Sequence, residues 1–329
     1  PRTTFERDGC VGVERAGSFG SVANAALAPR FFEVFHRGVA WADVAHFHVP
    51  SPLAELAHLC LGVPNDTSVV VTFHADPAST RWKALAPVYN LVLHPLLKRA
   101  DRIVVTAPAN ARGADVLSKV GTKRDVIPLG TEYSPNPPSH REKRALKREH
   151  LGVDPDTPVT LFVGRLAYYK GLSHLIDAMR EVPGVLIVIG TGEEEDKLKA
   201  LVDVHDLDNV RFKGYVTDDL LPRYYRSADV FAFPSVSPSE AFGIVQLDAM
   251  AHGLPVVNTN LPTGVPFVSQ SGKTGLTVPP SDTSALAQAL CRILDDGAFR
   301  DRLSTQAVRR ASDFTVNNMV EKYNKLFVA

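Results

Sequence analysis

Short apolar runs alternate with helix-length stretches along the whole chain, and the alternation occurs twice. Early on, residues 44–47, 68–73 and 103–106 read as strands, with helical patterns at 53–61 and 83–99 between them. Later, residues 159–163, 184–189, 210–212, 230–233 and 255–259 read as strands, with helices at 172–181 and 193–202. Strands that are apolar throughout, separated by helices, fit parallel sheets covered on both faces. The chain has 329 residues, which suits two domains of ordinary size. A Pro-rich polar stretch at 134–140 reads as the linker between them.

The expected architecture is therefore α/β, with two Rossmann-like domains facing a central cleft. Ligands in open α/β sheets bind at the carboxyl ends of the strands, so a cleft formed there is the natural site. Formal net charge is +0, which removes the global field that nucleic acid would call for. Cys10, Cys60 and Cys291 lie far apart, which fits neither a disulfide framework nor a CxxC metal site. They point to a reducing, cytoplasmic setting. No apolar run reaches the roughly 18 residues of a spanning helix, and no signal peptide is visible. The first residues, Pro1-Arg-Thr-Thr-Phe-Glu-Arg-Asp8, read as a loop from within a domain.

The most informative stretch is Glu240-Ala-Phe-Gly-Ile-Val-Gln-Leu-Asp248. Glu240 stands just ahead of a predicted helix start and Asp248 one or two turns inside it. Unpaired backbone N–H groups at a helix start attract anions. Gly243 lets a ligand come close to the backbone. A phosphate on that helix end, with a carboxylate on either side for hydroxyls, matches the layout of a sugar nucleotide. Upstream, Gly164-Arg165-Leu166 follows the strand at 159–163, and Lys170-Gly171 comes five residues after Arg165. Arg offers a planar fork to oxygens and Lys a compact charge. Both can stabilise a departing diphosphate. His74 ends the strand at 68–73 and can donate a hydrogen bond to a sugar hydroxyl or a backbone carbonyl; taken by itself it also reads as a structural histidine.

Other features carry less. His46 and His48 alternate on one strand face, but no third ligand stands near, so no metal site is expected. Gly190-Thr-Gly-Glu193 begins like a dinucleotide fingerprint, yet Glu195 fills the place of its third glycine. Ser271-Gly-Lys-Thr274 lacks the upstream glycine of a phosphate-binding loop and reads as a turn. The basic run 141–148 reads as a solvated helix face, with a grip on anionic phosphate or a membrane as the alternative. The stretch 81–102 mixes apolar and basic residues around Pro87 and Pro95. It reads as a core-packed helix with a basic edge, and peripheral membrane contact is the alternative.

These motifs resemble those of the GT-B glycosyltransferases of family 4, which are retaining and depend on nucleotide sugars. The resemblance covers nearly the whole chain. Its E-x7-E segment corresponds to Glu240 through Asp248, and its GR…KG clamp to Gly164-Arg165 and Lys170-Gly171. Val126-Ile-Pro-Leu-Gly130 resembles the strand and turn that close the first domain. The stretch 257–267 looks most like bacterial mannosyltransferases of surface polysaccharide assembly. The resemblance implies domains at 1–133 (acceptor side), 134–311 (donor nucleotide) and a helix at 312–329 that crosses back. It implies that Arg165 and Lys170 bind the donor diphosphate, together with the backbone of Phe242, Gly243, Ile244 and Val245. Glu240 and His74 would act on the donor sugar, Asp248 on the ribose, and the main chain at Tyr215 and Val216 on the base.

It further implies GDP-mannose as donor ahead of a UDP-sugar, a glycan or lipid-linked acceptor, retention of configuration, and no cofactor or bound metal. Two departures stand out. Asp248 replaces the usual Glu, which shortens the reach by about 1.5 Å. The opening strand, loop and helix, which need roughly 30 residues, are not recognisable. A sugar-nucleotide epimerase of the same architecture, or a truncated donor-binding protein without activity, are the alternatives.

Overall fold

The computed structural model describes residues 2–22, 25–76, 86–113 and 115–328. The chain divides into two compact units, Pro1–Ile127 and Pro128–Ala329. The contact boundary falls ahead of the polar stretch at 134–140, and the reason is local. Thr131 bridges Thr315, and the Tyr133 hydroxyl donates to the Val308 carbonyl at 3.1 Å. A Cβ on Gly130 would sit 2.4 Å from the Thr315 carbonyl, so only glycine permits this approach.

The first unit opens with two hairpins, β1 (Thr4–Asp8) with β2 (Val11–Arg15), and β3 (Ser21–Val22) with β4 (Ala25–Ala26). The loop expected at the start is thus an antiparallel pair from Thr4 to Arg15. Its faces are almost wholly exposed, so no hydrophobic alternation marks it in the sequence. A parallel sheet follows, in the order β5 (Val44–Val49), β6 (Ser68–Phe73), β7 (Arg102–Val105), β8 (Arg124–Val126). Helices Pro52–Leu61 and Ala86–Arg99 connect its strands. Pro87 sits in the first turn of the second helix, where a missing N–H costs nothing, and Pro95 lies inside it. Residues 81–85 of the mixed apolar and basic stretch lie outside the described residues. Val69, Val71, Phe73, Leu93, Leu96 and Ile103 form the buried centre of this unit.

The second unit carries a six-stranded parallel sheet. Its strands are β9 (Val159–Val163), β10 (Val185–Ile189), β11 (Val210–Phe212), β12 (Val230–Phe233), β13 (Val256–Thr259) and β14 (Gly275–Val278). Their spatial order is β11-β10-β9-β12-β13-β14, a doubly wound order that reverses between β9 and β12. Every residue of β10, β12 and β13 is buried, as expected of strands covered on both faces. Asp282, Asp296 and Thr315 each cap a helix by accepting a backbone N–H. The helix expected at 172–181 closes sooner, as Leu172–Ala178, and β14 was not anticipated. No helix among the described residues is long and apolar enough to cross a membrane.

Candidate active site

Strands β9 and β12 are neighbours, and the chain turns opposite ways from them. Their carboxyl ends therefore leave a crevice between diverging loops. The loop after β9 carries Arg165 and Lys170, and the loop after β12 carries Glu240. Lys170 Nζ lies 2.5 Å from Glu240 Oε2, and both side chains are 11% exposed. Glu240 Oε2 also accepts from the Ser235 hydroxyl at 3.2 Å. Two motifs 70 residues apart in sequence thus meet at the switch point of the sheet.

Backbone contacts hold the two loops together. Val236 N donates to the Tyr169 carbonyl at 2.8 Å. Gly171 has φ +67°, and a Cβ there would lie 2.1 Å from the Pro234 carbonyl. Tyr169 presents its ring to both cations. The guanidinium carbon of Arg165 is 5.8 Å from its centroid and Lys170 Nζ is 5.3 Å away. Arg165 is otherwise exposed, with no carboxylate partner among the described residues. Lys170 also stands 5.1 Å over the Phe233 ring.

The helix Val245–Ala251 begins directly after Gly243-Ile244. The N–H groups of Gly243, Ile244 and Val245 find no acceptor among the described residues, whereas those of Gln246 and Leu247 turn back to Gly243 and Ile244. Gly243 has φ +78°, and a Cβ would lie 2.7 Å from both Phe233 and Gln246. Phe242 is buried against Phe314, and Ile244 is exposed. Asp248 falls in the first turn of this helix. Its carboxylate has no hydrogen-bond partner among the described residues, and burial pushes its pKa up to about 6. A half-buried, unpartnered carboxylate has its acceptor capacity free for a hydroxyl.

Tyr215 and Val216 follow β11, the edge strand, and Tyr215 is 75% exposed. The loops after β9, β10 and β11 are laced together. Leu166 N donates to Thr191 O at 2.9 Å, and Gly190 N to Gly214 O at 2.8 Å. Gly190 and Gly192 make that lacing possible, since a Cβ on either would collide with the 164–166 backbone. The glycines that mimic a dinucleotide fingerprint thus serve close loop packing, a role sequence spacing alone does not reveal.

His74 belongs to the first unit, just past β6, and its N–H donates to the Val49 carbonyl. It forms a ring cluster that the sequence did not disclose in full. His74 Nε2 is 2.9 Å from His48 Nδ1, and His48 lies 4.4 Å from His46 between centroids. His46 bonds Thr72 at 2.8 Å. Burial lowers the pKa of all three, and His46 falls to about 4 with added repulsion from His48 and His74. Among the described residues no group of three or more His, Cys, Asp or Glu is arranged to hold a metal ion.

The pattern of the family described as "Glycosyl transferases group 1" matches residues 143–310. That span includes the Lys170–Glu240 contact and every second-unit residue of the site. This chain belongs to the group 1 glycosyltransferases. The D-rhamnosyltransferase WbpZ of Pseudomonas aeruginosa is 32% identical over 278 residues, covering 84% of this chain and 71% of the relative. The O-antigen chain mannosyltransferase C of Escherichia coli is 29% identical over 287 residues, covering 87% and 75%. Among solved structures, a sucrose-phosphate synthase from Thermosynechococcus elongatus superposes with a TM-score of 0.78 at 28% identity. It covers 91% of this chain and 77% of its own. The chain is a glycosyltransferase with the GT-B fold.

Proposed function

We propose that the second unit binds the donor as a nucleoside diphosphate sugar and that its sugar passes, with retained configuration, to a glycan or lipid-linked acceptor. GDP-mannose is the favoured donor and a UDP-sugar the second. The Lys170–Glu240 contact at the switch point carries this reading, because it sets a cation and a sugar-binding carboxylate within one hydrogen bond of each other. The similarity to an O-antigen mannosyltransferase supports mannose as the transferred sugar.

In this assignment Arg165 and Lys170 hold the diphosphate, joined by the unpaired N–H groups at Gly243, Ile244 and Val245. As the glycosidic bond breaks, negative charge grows on the departing diphosphate. Preorganised cations and N–H groups stabilise that charge without reorganising. The two cations thereby take the task a divalent metal performs elsewhere. Glu240 accepts from donor sugar hydroxyls, Asp248 from the ribose, and the main chain at Tyr215 and Val216 meets the base. Strands β9 and β11 lie two spacings apart, roughly 10 Å, which suits a diphosphate at one and a base at the other. His74 is the first unit's contribution, as a hydrogen-bond donor to the sugar.

Calorimetric titration with GDP, UDP and ADP tests the assignment. One of the three is expected to bind with one site per chain, and Lys170→Met to weaken it at least tenfold. Absence of binding by all three overturns the reading. Product analysis without acceptor separates transfer from epimerisation, since only the latter yields a new nucleotide sugar.

A further inference from the structure

The second unit contains a cavity of about 420 Å³ that the donor chemistry does not use. Pro158 and Asp229, which lead directly into β9 and β12, form its floor. The donor residues follow the opposite, carboxyl ends of those same strands. The remaining lining comes from the helices His140–Leu146 and Gly297–Ala311, from Lys147 just past the first of them, and from segments at 137–138, 155–156, 252–253 and 294. The solvated face expected for 141–148 holds for Arg141, Glu142, Ala145 and Arg148, which are exposed, but not for two of its lysines. Lys147 is 5% exposed and Lys143 turns inward beside it.

Asp229 sits between these two lysines. Its Oδ2 accepts from Lys147 Nζ at 2.6 Å and from Val159 N at 2.9 Å. Lys147 Nζ also donates to the Thr157 carbonyl at 2.8 Å. That half is a satisfied ion pair and explains itself as structure. Lys143 is different. Its Nζ reaches only Asp229 Oδ1, at 3.5 Å, which leaves most of its three donors unused. Arg300 adds a third cation, held by the Leu294 carbonyl at 2.8 Å. Burial, first, and then repulsion from Lys147 and Arg300 lower the Lys143 pKa, against the pull of Asp229. The other acids on the wall do not close this imbalance. Asp156 is engaged by Arg144, and Asp301 is exposed.

We infer that this cavity is a second anion site, built for a small multiply charged phosphate compound and separate from the donor crevice. Three inward cations against one carboxylate leave positive charge that a multidentate anion neutralises. Lys143 supplies the free donors, and His140 stands at the rim. The volume lies within the roughly 300–1,000 Å³ of small-molecule sites and exceeds what a single structural ion needs.

Calorimetry with inorganic pyrophosphate on the full chain reads the number of sites directly. Lys143→Gln is expected to bind one pyrophosphate per chain fewer than the native protein. Should that variant fail to fold, His140→Glu places a carboxylate on the exposed rim, leaves the buried ion pair intact, and is expected to lose the same site. Lys170→Met, which acts on the donor crevice, is expected to keep it. A native chain that binds no pyrophosphate, or an equal number of sites in the native chain and these rim and wall variants, overturns the inference. Nucleoside diphosphate binding is measured separately, so failure here leaves the donor assignment standing, and the reverse holds too.

Discussion

Asp248→Asn should change how stability depends on pH, and the structure sets both sign and size. The folded carboxyl has a pKa of about 6, raised from an ordinary value near 3.8 by burial. The folded state therefore holds this proton more tightly than the unfolded chain between those two values. Folding gains full benefit from the protonated group below pH 4 and loses it as pH rises through 6. The difference between 3.8 and 6 corresponds to roughly 3 kcal/mol at 1.36 kcal/mol per pH unit. Asparagine keeps the shape and abolishes the titration. Measured at pH 7.5 minus pH 4, the variant should therefore be stabilised by roughly 2.5 kcal/mol relative to the native protein, since a small part of the shift is already lost at pH 4. Comparing two pH values cancels any fixed cost of the amide. Both tryptophans, Trp41 and Trp82, lie in the first unit, so tryptophan fluorescence does not report on this change. Hydrogen exchange of the β12 and β13 amides does. Equal pH slopes in variant and native protein would refute the argument. In the proposed role of Asp248, the ionised carboxylate is the stronger acceptor for a ribose hydroxyl. Nucleotide affinity in the native protein should accordingly fall below pH 6, and Asp248→Asn should flatten that fall.

Further expectations follow from the same geometry. Lys170→Met strands a buried carboxylate and should cost about 3 kcal/mol. Glu240→Gln in addition should recover part of it, with a coupling of about 2 kcal/mol in a double-mutant cycle, and additivity would remove the contact from consideration. Gly171→Ala forces a Cβ to within 2.1 Å of a carbonyl at φ +67°. It should weaken nucleoside diphosphate binding at least tenfold in calorimetry although both cations remain. His46 has the opposite pH sense to Asp248. Its folded pKa of about 4 lies below the ordinary 6.5, so its contribution is present above 6.5 and lost as pH falls through 4. Hydrogen exchange in β5 and β6 should show the first unit losing roughly 3 kcal/mol over that range. His46→Asn should remove most of that loss, and an unchanged loss would dismiss the effect.

The parallel strands were legible where most of their positions are apolar, although Thr72, Thr160 and Arg211 interrupt the runs. Residues 159–163, 68–73, 210–212 and 230–233 were read to the residue. The segments that escaped lack that pattern. The hairpin Thr4–Asp8 with Val11–Arg15 buries neither face. β14 has two half-buried positions and follows a Gly-Lys-Thr turn. Lys147 is invisible as a core residue because its partner, Asp229, lies 82 positions away.

Residue types and local spacing thus determined the two-part α/β architecture and marked the cations and carboxylates proposed here to meet a donor. Only the tertiary structure decided that Lys170 touches Glu240, that Asp248 is held near pH 6, and that Lys143 faces a cavity. These depend on which strands lie side by side and on how much water remains around each group. Both arise from packing between segments that the chain alone leaves far apart.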